Sequence, residues 1–546
     1  MFSARDHVHR PRWQVSVFVL GALLCALALP ASASAVTYTV NSKLEGEDKS
    51  PGTGGCETVV AGECTLRAAV EESNFSTAVD DTIAFAPSFD GKLDDTLGIG
   101  SSFPAITDKV HIDGDSGGQC ITAAAGVLGP CAGVEKTATG SALVIENVDG
   151  VEVEGLAITN ATGAGAAAIN VLNSSETFAA RDNWIGVKLD GSAGANNKGI
   201  FLDPNSNGAT IGGKATADRN VFANSGFEGL DIEGADNADV LGNYFGVKPD
   251  GVTAAANAKN VEITSTMAIP ANGNEVGATI EGAALASPVC DGGCNVIAGG
   301  GLSTGIDLHG DGGNEAPAAG PTTVHGNYVG LAANGSTVLA NGTFDILSYE
   351  SEDTTIGGPT NGDANFIAGG GIGIYHQDGE GFEAVGNVIG SSPTGDVTSP
   401  GLGMFVYCFN LGTAGVDPVT VSQNVFRMEG GIGIEEKFGN ADIEENFIEG
   451  ATTGIFTLGD PPGAGNLIAD NVIGESVTNG ILIENDFNIV LHNSIYGSGA
   501  AGVRIQNPAA LVITTGNLVG GDTAADENTI RESGGDAIEI VDNSGN

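Results

Sequence analysis

Short stretches in which apolar and polar residues alternate recur along most of this chain. Each stretch reads glycine, apolar, any residue, apolar, and such alternation places one set of side chains inside and the other outside. Without a helical stretch or a leucine consensus, the repeats favour three short strands per turn over a leucine-rich horseshoe. The pattern therefore predicts an all-β fold, a right-handed parallel β-helix. The stretches begin at Gly229, Gly305, Gly371, Gly431, Gly480 and Gly502.

A second repeat, asparagine followed by any residue and then by a branched or aromatic apolar residue, sets the period of the coils. Successive copies from Asn424 to Asn517 are 22 to 25 residues apart, which is typical of one solenoid turn. Stacked asparagines donate to one neighbour and accept from the other, so we expect a structural ladder without a catalytic role. Its expected members are Asn183, Asn220, Asn243, Asn295, Asn327, Asn365, Asn387, Asn424, Asn446, Asn471, Asn493, Asn517 and Asn528.

Four coils contain a longer insertion. In each, the asparagine is followed three residues later by glycine, and a second glycine comes five residues after that. Asp-Gly and Asn-Gly are tight-turn signals, so we expect four small hairpins on one side of the rod. About 14 coils in all can be followed from Leu143 onward. The second glycines are Gly191, Gly251, Gly335 and Gly395.

The N-terminal residues 1–35 have the pattern of a cleaved secretory signal. Arg5, Arg10 and Arg12 precede an apolar run from Val15 to Leu29, and Ala33-Ser34-Ala35 follows. No later apolar run is long enough to span a bilayer. We therefore predict a protein that is secreted or held on the extracellular surface.

Removal of that segment leaves 17 Lys and Arg against 67 Asp and Glu, a formal charge of −50. Nucleic acid and anionic lipid are therefore poor partners, and we expect no nucleic acid to bind, since both require a positive surface. No Lys or Arg occurs from Asn260 to Phe426. The sequence calls for no cofactor, although calcium suits so many carboxylates and carbonyls. A solvated acidic coat that keeps the rod soluble is the simpler interpretation.

Six of the seven cysteines that remain after cleavage fall into close pairs. We expect disulfides, because export exposes thiols to an oxidising environment. A metal site would need further ligands nearby, and none occurs beside the last pair. Cys408 is left over as a buried or reactive thiol. The expected bonds are Cys56–Cys64, Cys120–Cys131 and Cys290–Cys294.

Residues 36–115 depart from the repeat and are expected to cap the first coil, which would otherwise expose a strand edge. The segment contains CTLRAAVEESN from Cys64, with Thr65 placed to start a short helix. It resembles the N-terminal CSLREA-type domain of secreted bacterial β-helix proteins, with matches at Cys64, Leu66, Arg67 and Ala69. The resemblance implies an exported β-helix and no particular reaction.

The remaining residues, 116–546, are assigned to the β-helix. The last strand stops where another asparagine turn is expected. Either further coils are missing from this sequence or the exposed edge is used for association.

The outward positions of the repeated strand are expected to stack into two columns along the rod. Acidic and aromatic side chains in such columns suit the hydroxyls and rings of a carbohydrate. The first column is predicted to contain Asp231, Glu262, Asp307, Asp345 and Arg504, and the second Glu233, His309, Tyr375, Tyr407, Glu435, Glu484 and Gln506. The candidate ligand-binding residues are Asp231, Glu233, Asp307, His309, Tyr375, Tyr407 and Glu435.

Two kinds of chemistry are conceivable in these columns. Asp231 and Glu233, two residues apart on one strand face, have the spacing that glycoside hydrolysis requires, as almost any outward acid pair would. With His309 they are the catalytic candidates. Asp307, His309 and Asp311 are the candidate metal ligands.

The overall pattern resembles the pectin-lyase-like superfold, which includes pectate lyases and polygalacturonases. Leu308-His309-Gly310 and Arg504-Ile505-Gln506 are only partial matches to polygalacturonase motifs, and a fold alone does not transfer an activity. We therefore interpret the chain as an exported acidic scaffold that binds a polysaccharide or a cell-surface protein. The alternatives are a glycoside hydrolase or polysaccharide lyase and a structural adhesin or spacer; the sequence favours binding over catalysis.

Overall fold

The computed structural model describes residues 35–75, 80–115, 118–121, 127–173, 177–266, 268–281, 289–300, 304–310, 320–395, 399–408, 418–459, 465–508 and 514–541. The proposed signal segment lies almost wholly outside these ranges. Within them, the chain forms three long parallel sheets of 16, 15 and 14 strands, which we name A, B and C. Each coil contributes one strand to each sheet in turn, so the predicted right-handed parallel β-helix is confirmed.

The strands follow one another in chain order within each sheet. Sheet A contains Thr37–Val40, Asp81–Phe85, Val110–Asp113, Glu152–Glu154, Ala179–Arg181, Thr210–Gly212, Asp239–Leu241, Asn274–Gly277, Thr322–His325, Thr355–Gly357, Glu383–Val385, Val419–Ser422, Ala441–Glu444, Leu467–Ala469, Ile489–Leu491 and Leu518–Val519. Sheet B contains Thr96–Ile99, Ala132–Lys136, Leu156–Thr159, Trp184–Ile185, Val221–Phe222, Tyr244–Phe245, Val296–Ile297, Tyr328–Val329, Phe366–Ile367, Val388–Ile389, Val425–Arg427, Phe447–Glu449, Val472–Gly474, Ser494–Tyr496 and Thr529–Arg531. Sheet C contains Leu143–Glu146, Ala167–Leu172, Lys198–Leu202, Glu228–Glu233, Lys259–Thr264, Thr304–His309, Phe344–Tyr349, Ile372–Gln377, Leu402–Tyr407, Ile432–Lys437, Thr453–Leu458, Ile481–Glu484, Val503–Gln506 and Ile538–Val541.

The remaining elements are small. One α-helix spans Leu66–Ser73, and Cys120–Ile121 pairs antiparallel with Leu128–Gly129. Single 3-10 turns occupy Leu93–Asp95, Thr216–Asp218 and Ala524–Asp526.

Inward side chains from the three sheets form one continuous apolar core along the rod. Similar side chains at equivalent positions of neighbouring coils stack on one another. The rings of Phe222 and Phe245, for example, lie parallel at 4.6 Å between centroids. The core is thin, so each coil is stabilised mainly by the coils on either side of it. The 14 strands of sheet C confirm the expected number of coils.

The asparagine ladder is confirmed for twelve of its thirteen expected members. Each asparagine of the ladder lies at the turn between sheets A and B. Each one before Asn528 donates both its backbone N–H and its side-chain amide to the Oδ1 of the next asparagine in the ladder. Between Asn365 and Asn387, for example, the two distances are 3.4 and 2.9 Å. Asn517 was wrongly included: it belongs to a second ladder, where it accepts from Asn488 at 2.8 Å. Asn493 bonds directly to Asn528.

The segment 36–115, which was expected only to cap the first coil, also contributes the first strands of the rod. Thr65 caps the helix as predicted, because its Oγ1 accepts from the N–H of Ala68 at 3.0 Å. The strands Thr37–Val40 and Asp81–Phe85 are the first two of sheet A. The division at residue 115 stays a prediction.

Three of the four expected hairpins are present, closed by the antiparallel bridges Val187–Ala193, Val247–Ala254 and Leu331–Val338. The fourth includes residues 396–398, outside the described residues. The hairpins pack on one another instead of projecting separately: the Ala333 N–H donates to Gly251 O at 2.9 Å. Under them, Trp184, Leu189 and Tyr328 belong to a second apolar cluster on the outer face of sheet B.

All three expected disulfides are present. The Cα–Cα distances are 5.3 Å for Cys56–Cys64, 5.1 Å for Cys120–Cys131 and 5.3 Å for Cys290–Cys294. Cys408 is free and buried. The bonds are consistent with an exported protein, and within the described ranges no helix is both long and apolar enough to cross a membrane.

Candidate functional site

The outer face of sheet C has three columns of side chains, one more than the sequence predicted. The columns are defined by the strand register, in which Asp231, Glu262 and Asp307 lie side by side on three consecutive strands. Thr264 and His309 lie side by side two residues further along, and Lys259 and Thr304 three residues before. We name these the Asp307, His309 and Lys259 columns.

Three sequence assignments to columns were wrong. Tyr375 and Glu435 lie in the Asp307 column, in line through Phe405, and not in the His309 column. Asp345 faces the interior and is fully buried; the neighbour of Asp307 on the next strand is Leu347. The cause is that Asp345 occupies the position at which most coils have glycine. The outward residue of this strand in the Asp307 column is therefore Leu347, two positions after Asp345.

The N-terminal part of this face is a network of opposite charges. Lys198 pairs with Asp231 and lies 3.3 Å from a Glu228 oxygen. One coil further, Lys259 pairs with Glu262 and lies 2.6 Å from Asp307. We call these six residues and His309 the charged network. His309 Nδ1 is 3.7 Å from Asp307 Oδ1.

The acids of this network are largely shielded from solvent, and their pKa values differ. Asp231 and Asp307 are each only 3% exposed although they point away from the core. Burial raises the pKa of Asp231 to about 6 and of Glu262 to about 7, against the pull of the lysines. Burial would also raise the pKa of Asp307, but His309 and Lys259 lower it overall. Carboxyls with pKa values pushed apart are typical of acid–base sites and also of structural ion-pair networks.

The sequence missed three members of the network, Lys198, Glu228 and Lys259. All three lie in the Lys259 column. Each comes one residue before the glycine or asparagine that starts the alternating apolar stretch of its strand. A charged residue at that place in three successive coils was the available signal. The predicted catalytic candidate Glu233 is not part of the network. It is the last residue of its strand and is half-buried.

The next three coils replace charge with aromatic and apolar side chains. Nine outward positions on three strands contain five aromatic residues, three aliphatic residues and one amide, and each is half-buried. We name this surface the aromatic panel. Its members are Phe344, Leu347, Tyr349, Ile372, Tyr375, Gln377, Leu402, Phe405 and Tyr407.

The rings of the panel contact one another across the coils. Tyr375 lies 5.1 Å from Phe344 and 5.2 Å from Phe405 between ring centroids, the latter pair stacked. The Tyr375 hydroxyl donates to Gln377 Oε1 at 2.7 Å. At one side Tyr349 stacks on His309 at 4.8 Å, which joins the panel to the charged network. An apolar surface with a polar rim is typical of a binding site.

Three groups of side chains could bring three metal-ligating atoms together among the described residues. They are His111, Glu152 and Glu154; Asp113, Asp115 and Glu154; and Glu228, Asp231 and Glu262. The second is all carboxylate, which suits a hard cation such as calcium. The predicted site at Asp307, His309 and Asp311 stays a prediction, since Asp311 lies outside the described residues and Lys259 is the near neighbour of Asp307.

Residues 329–543 match the family model described as periplasmic copper-binding protein (NosD), over less than half of the chain. Copper is bound mainly by imidazole and sulfur ligands. In the described part of 329–543, no three His, Cys, Asp or Glu ligand atoms converge. His376 is buried against Phe382 with ring centroids 3.9 Å apart, and Cys408 is buried with its pKa raised by burial. The residues described there do not fit a copper centre.

Several solved structures are similar in fold at low sequence identity. The mannuronan C-5 epimerase AlgE6 A-module of Azotobacter vinelandii is 9% identical, with a TM-score of 0.38, covering 84% of this chain and 95% of that one. The periplasmic alginate epimerase AlgG is 9% identical, with a TM-score of 0.31 and coverages of 75% and 77%. The surface adhesin PfbA of Streptococcus pneumoniae is 11% identical, with a TM-score of 0.24 and coverages of 82% and 91%.

Among curated proteins, no sequence matches the chain significantly. The three parallel sheets, the inward asparagine ladder and the continuous core define the architecture without help from sequence similarity. The chain is a right-handed parallel β-helix protein.

Proposed function

We propose that this protein is an exported scaffold that binds a polysaccharide on the outer face of sheet C. The observation that carries the proposal is the aromatic panel, nine contiguous positions with five rings and no formal charge. Aromatic faces bind the apolar faces of sugar rings, and the tyrosine hydroxyls and Gln377 supply hydrogen bonds to sugar hydroxyls. Because equivalent residues repeat at about 4.8 Å along the rod, the surface suits a repeating polymer.

Replacement of Tyr375 by alanine removes the ring at the centre of the panel and is expected to weaken polysaccharide binding at least tenfold. Sedimentation with a set of insoluble polysaccharides, followed by binding curves for those that retain the protein, measures the effect. Phe227→Ala is the matched control, because Phe227 is an aromatic residue 54% exposed outside the panel. Equal loss in both variants, or no loss in Tyr375→Ala, would contradict the proposal.

The charged network favours a second function, a carbohydrate-active hydrolase or lyase. It adjoins the panel through the stack of His309 on Tyr349. Carboxylate oxygens of Asp231 and Glu262 lie within 4.8 Å of one another, near the separation that retaining glycosidases use. Burial raises the pKa of Glu262 to about 7, so about half of these carboxyls carry at neutral pH the proton that a general acid donates.

The second function predicts that a bound polysaccharide is cleaved, with release of reducing ends or of unsaturated products. Glu262→Gln is expected to lower the rate at least a hundredfold while binding persists, because proton transfer typically contributes that much. Glu484→Gln, an acid in the His309 column well beyond the panel, is the control. Full activity in Glu262→Gln would exclude this role, and absence of any product leaves the binding scaffold alone.

A further inference from the structure

The aromatic panel is uncharged within a strongly acidic part of the chain. Its nine positions contain no Asp, Glu, Lys or Arg, and no Lys or Arg occurs anywhere from Asn260 to Phe426. Acidic residues border it: Glu350 and Asp378 come directly after the panel strands that end at Tyr349 and Gln377. Every formal charge of this stretch is therefore negative.

A polyanionic glycan would need positive side chains on this surface. Sugar carboxylates and sulfates are bound by Arg or Lys, ideally by paired hydrogen bonds. Lys437, in the neighbouring coil, lies over the rings of Tyr407 and Phe438 at 5.4 and 5.0 Å. It is one cation at the edge, against carboxylates on the rim and a mature charge of −50.

The lysines of the charged network do not supply the missing cations. Lys198 is paired with Asp231 and Glu228, and Lys259 with Glu262 and Asp307. Four carboxyl groups surround two ammonium groups, so the network as a whole does not attract an anion. The unbalanced charge next to the panel is negative on this side as well.

From this arrangement we infer that the polymer bound by the panel is an uncharged glycan, an inference that rests on the proposed binding function. The rings take the apolar faces of neutral sugars, while the acids of the rim accept hydrogen bonds from their hydroxyls. A polymer without charge avoids the repulsion that a polyuronate would meet across a screening length of about 8 Å at physiological ionic strength. The surface thereby selects against acidic polysaccharides.

Affinity electrophoresis with two neutral and two acidic polymers tests the inference. The neutral polymers are xyloglucan and galactomannan, and the acidic ones polygalacturonate and alginate, each in 50 and in 500 mM NaCl, with EDTA and separately with Ca²⁺. Retardation by at least one neutral polymer is expected, with less than twofold change between the two salt concentrations, because no ion pair contributes. Tyr375→Ala and Phe405→Ala should each lower that affinity at least tenfold, and Phe227→Ala should not.

The outcomes separate the inference from the proposed function. Binding of either acidic polymer that is lost in Tyr375→Ala overturns the inference, with or without Ca²⁺, and leaves the panel as a polysaccharide site. Neutral binding that survives both panel variants, with their circular dichroism unchanged, overturns both. Absence of binding to all four polymers also counts against both.

Discussion

Replacement of Asn387 by alanine is expected to lower the free energy of unfolding by about 3 to 6 kcal/mol. Asn387 is fully buried in the ladder. Its Oδ1 accepts from the Asn365 side chain at 2.9 Å, and its amide donates to Ile356 O at 2.8 Å and to Asn424 Oδ1 at 3.0 Å. Alanine leaves these groups buried without their partners, and each such group costs about 1 to 3 kcal/mol.

Urea unfolding followed by far-ultraviolet circular dichroism measures this change. Asn205→Ala is the matched control, since Asn205 is exposed and its side chain donates one bond, to Asn173 Oδ1 at 3.1 Å. The control is expected to change the stability by less than about 0.5 kcal/mol. A similar small shift in both variants would show that the ladder contributes little, and that the apolar core alone holds the coils together.

The features that the sequence predicted correctly are those that depend on local period. The 22 to 25 residue spacing of the asparagines specifies one coil, and a residue that repeats once per coil can only stack on its own kind. The three tight turns and three disulfides are likewise short-range, because each joins residues a few positions apart. Such features need no knowledge of distant contacts.

The phase of the strands in sheet C was harder to predict, because Gly371-Ile372-Gly373-Ile374 fits the repeat in two ways. The structure uses the second glycine, so Ile374 is inside and Ile372 outside. In this phase the coils approach closely at the second glycine, where a Cβ on Gly373 would lie 2.6 Å from the carbonyl oxygen of Gly403. Only contacts between coils decide this phase, and they are not visible in one repeat.

The same uncertainty explains what the sequence missed at the candidate site. Two ring residues of the panel, Tyr375 and Tyr407, are among the predicted outward positions, but Phe344 and Phe405 are not. In the true phase all four lie on one face, in line with Leu347 and Gln377. The surface that carries the proposed function therefore became apparent only when the register placed these coils side by side.

The largest effect of pH on stability is expected from two acids inside the rod, Asp345 and Glu436. Both are fully buried, and burial raises the pKa of each to about 8. Each lies beside an asparagine: the Asn341 amide donates to Asp345 at 3.0 Å, and the Asn466 amide donates to Glu436. No positively charged side chain forms an ion pair with either acid among the described residues.

The direction follows from the two states of the chain. In the unfolded chain these groups have ordinary pKa values near 4, whereas in the fold they stay protonated up to about pH 8. Their stabilising contribution is therefore fully present below the unfolded pKa and is lost as the pH rises through the folded pKa. Between pH 6 and pH 8 each acid is expected to lower the free energy of unfolding by about 2 to 3 kcal/mol.

The double variant Asp345→Asn, Glu436→Gln tests this, because neither amide titrates. Its free energy of unfolding should fall by roughly 4 to 6 kcal/mol less than that of the wild type between pH 6 and pH 8. Some slope should remain, since burial also raises the pKa of Asp182 to about 8. Glu429→Gln, at an exposed position, should keep the wild-type slope. An unchanged slope in the double variant would mean that both acids are already ionised in the fold, held by their amide donors at ordinary pKa values.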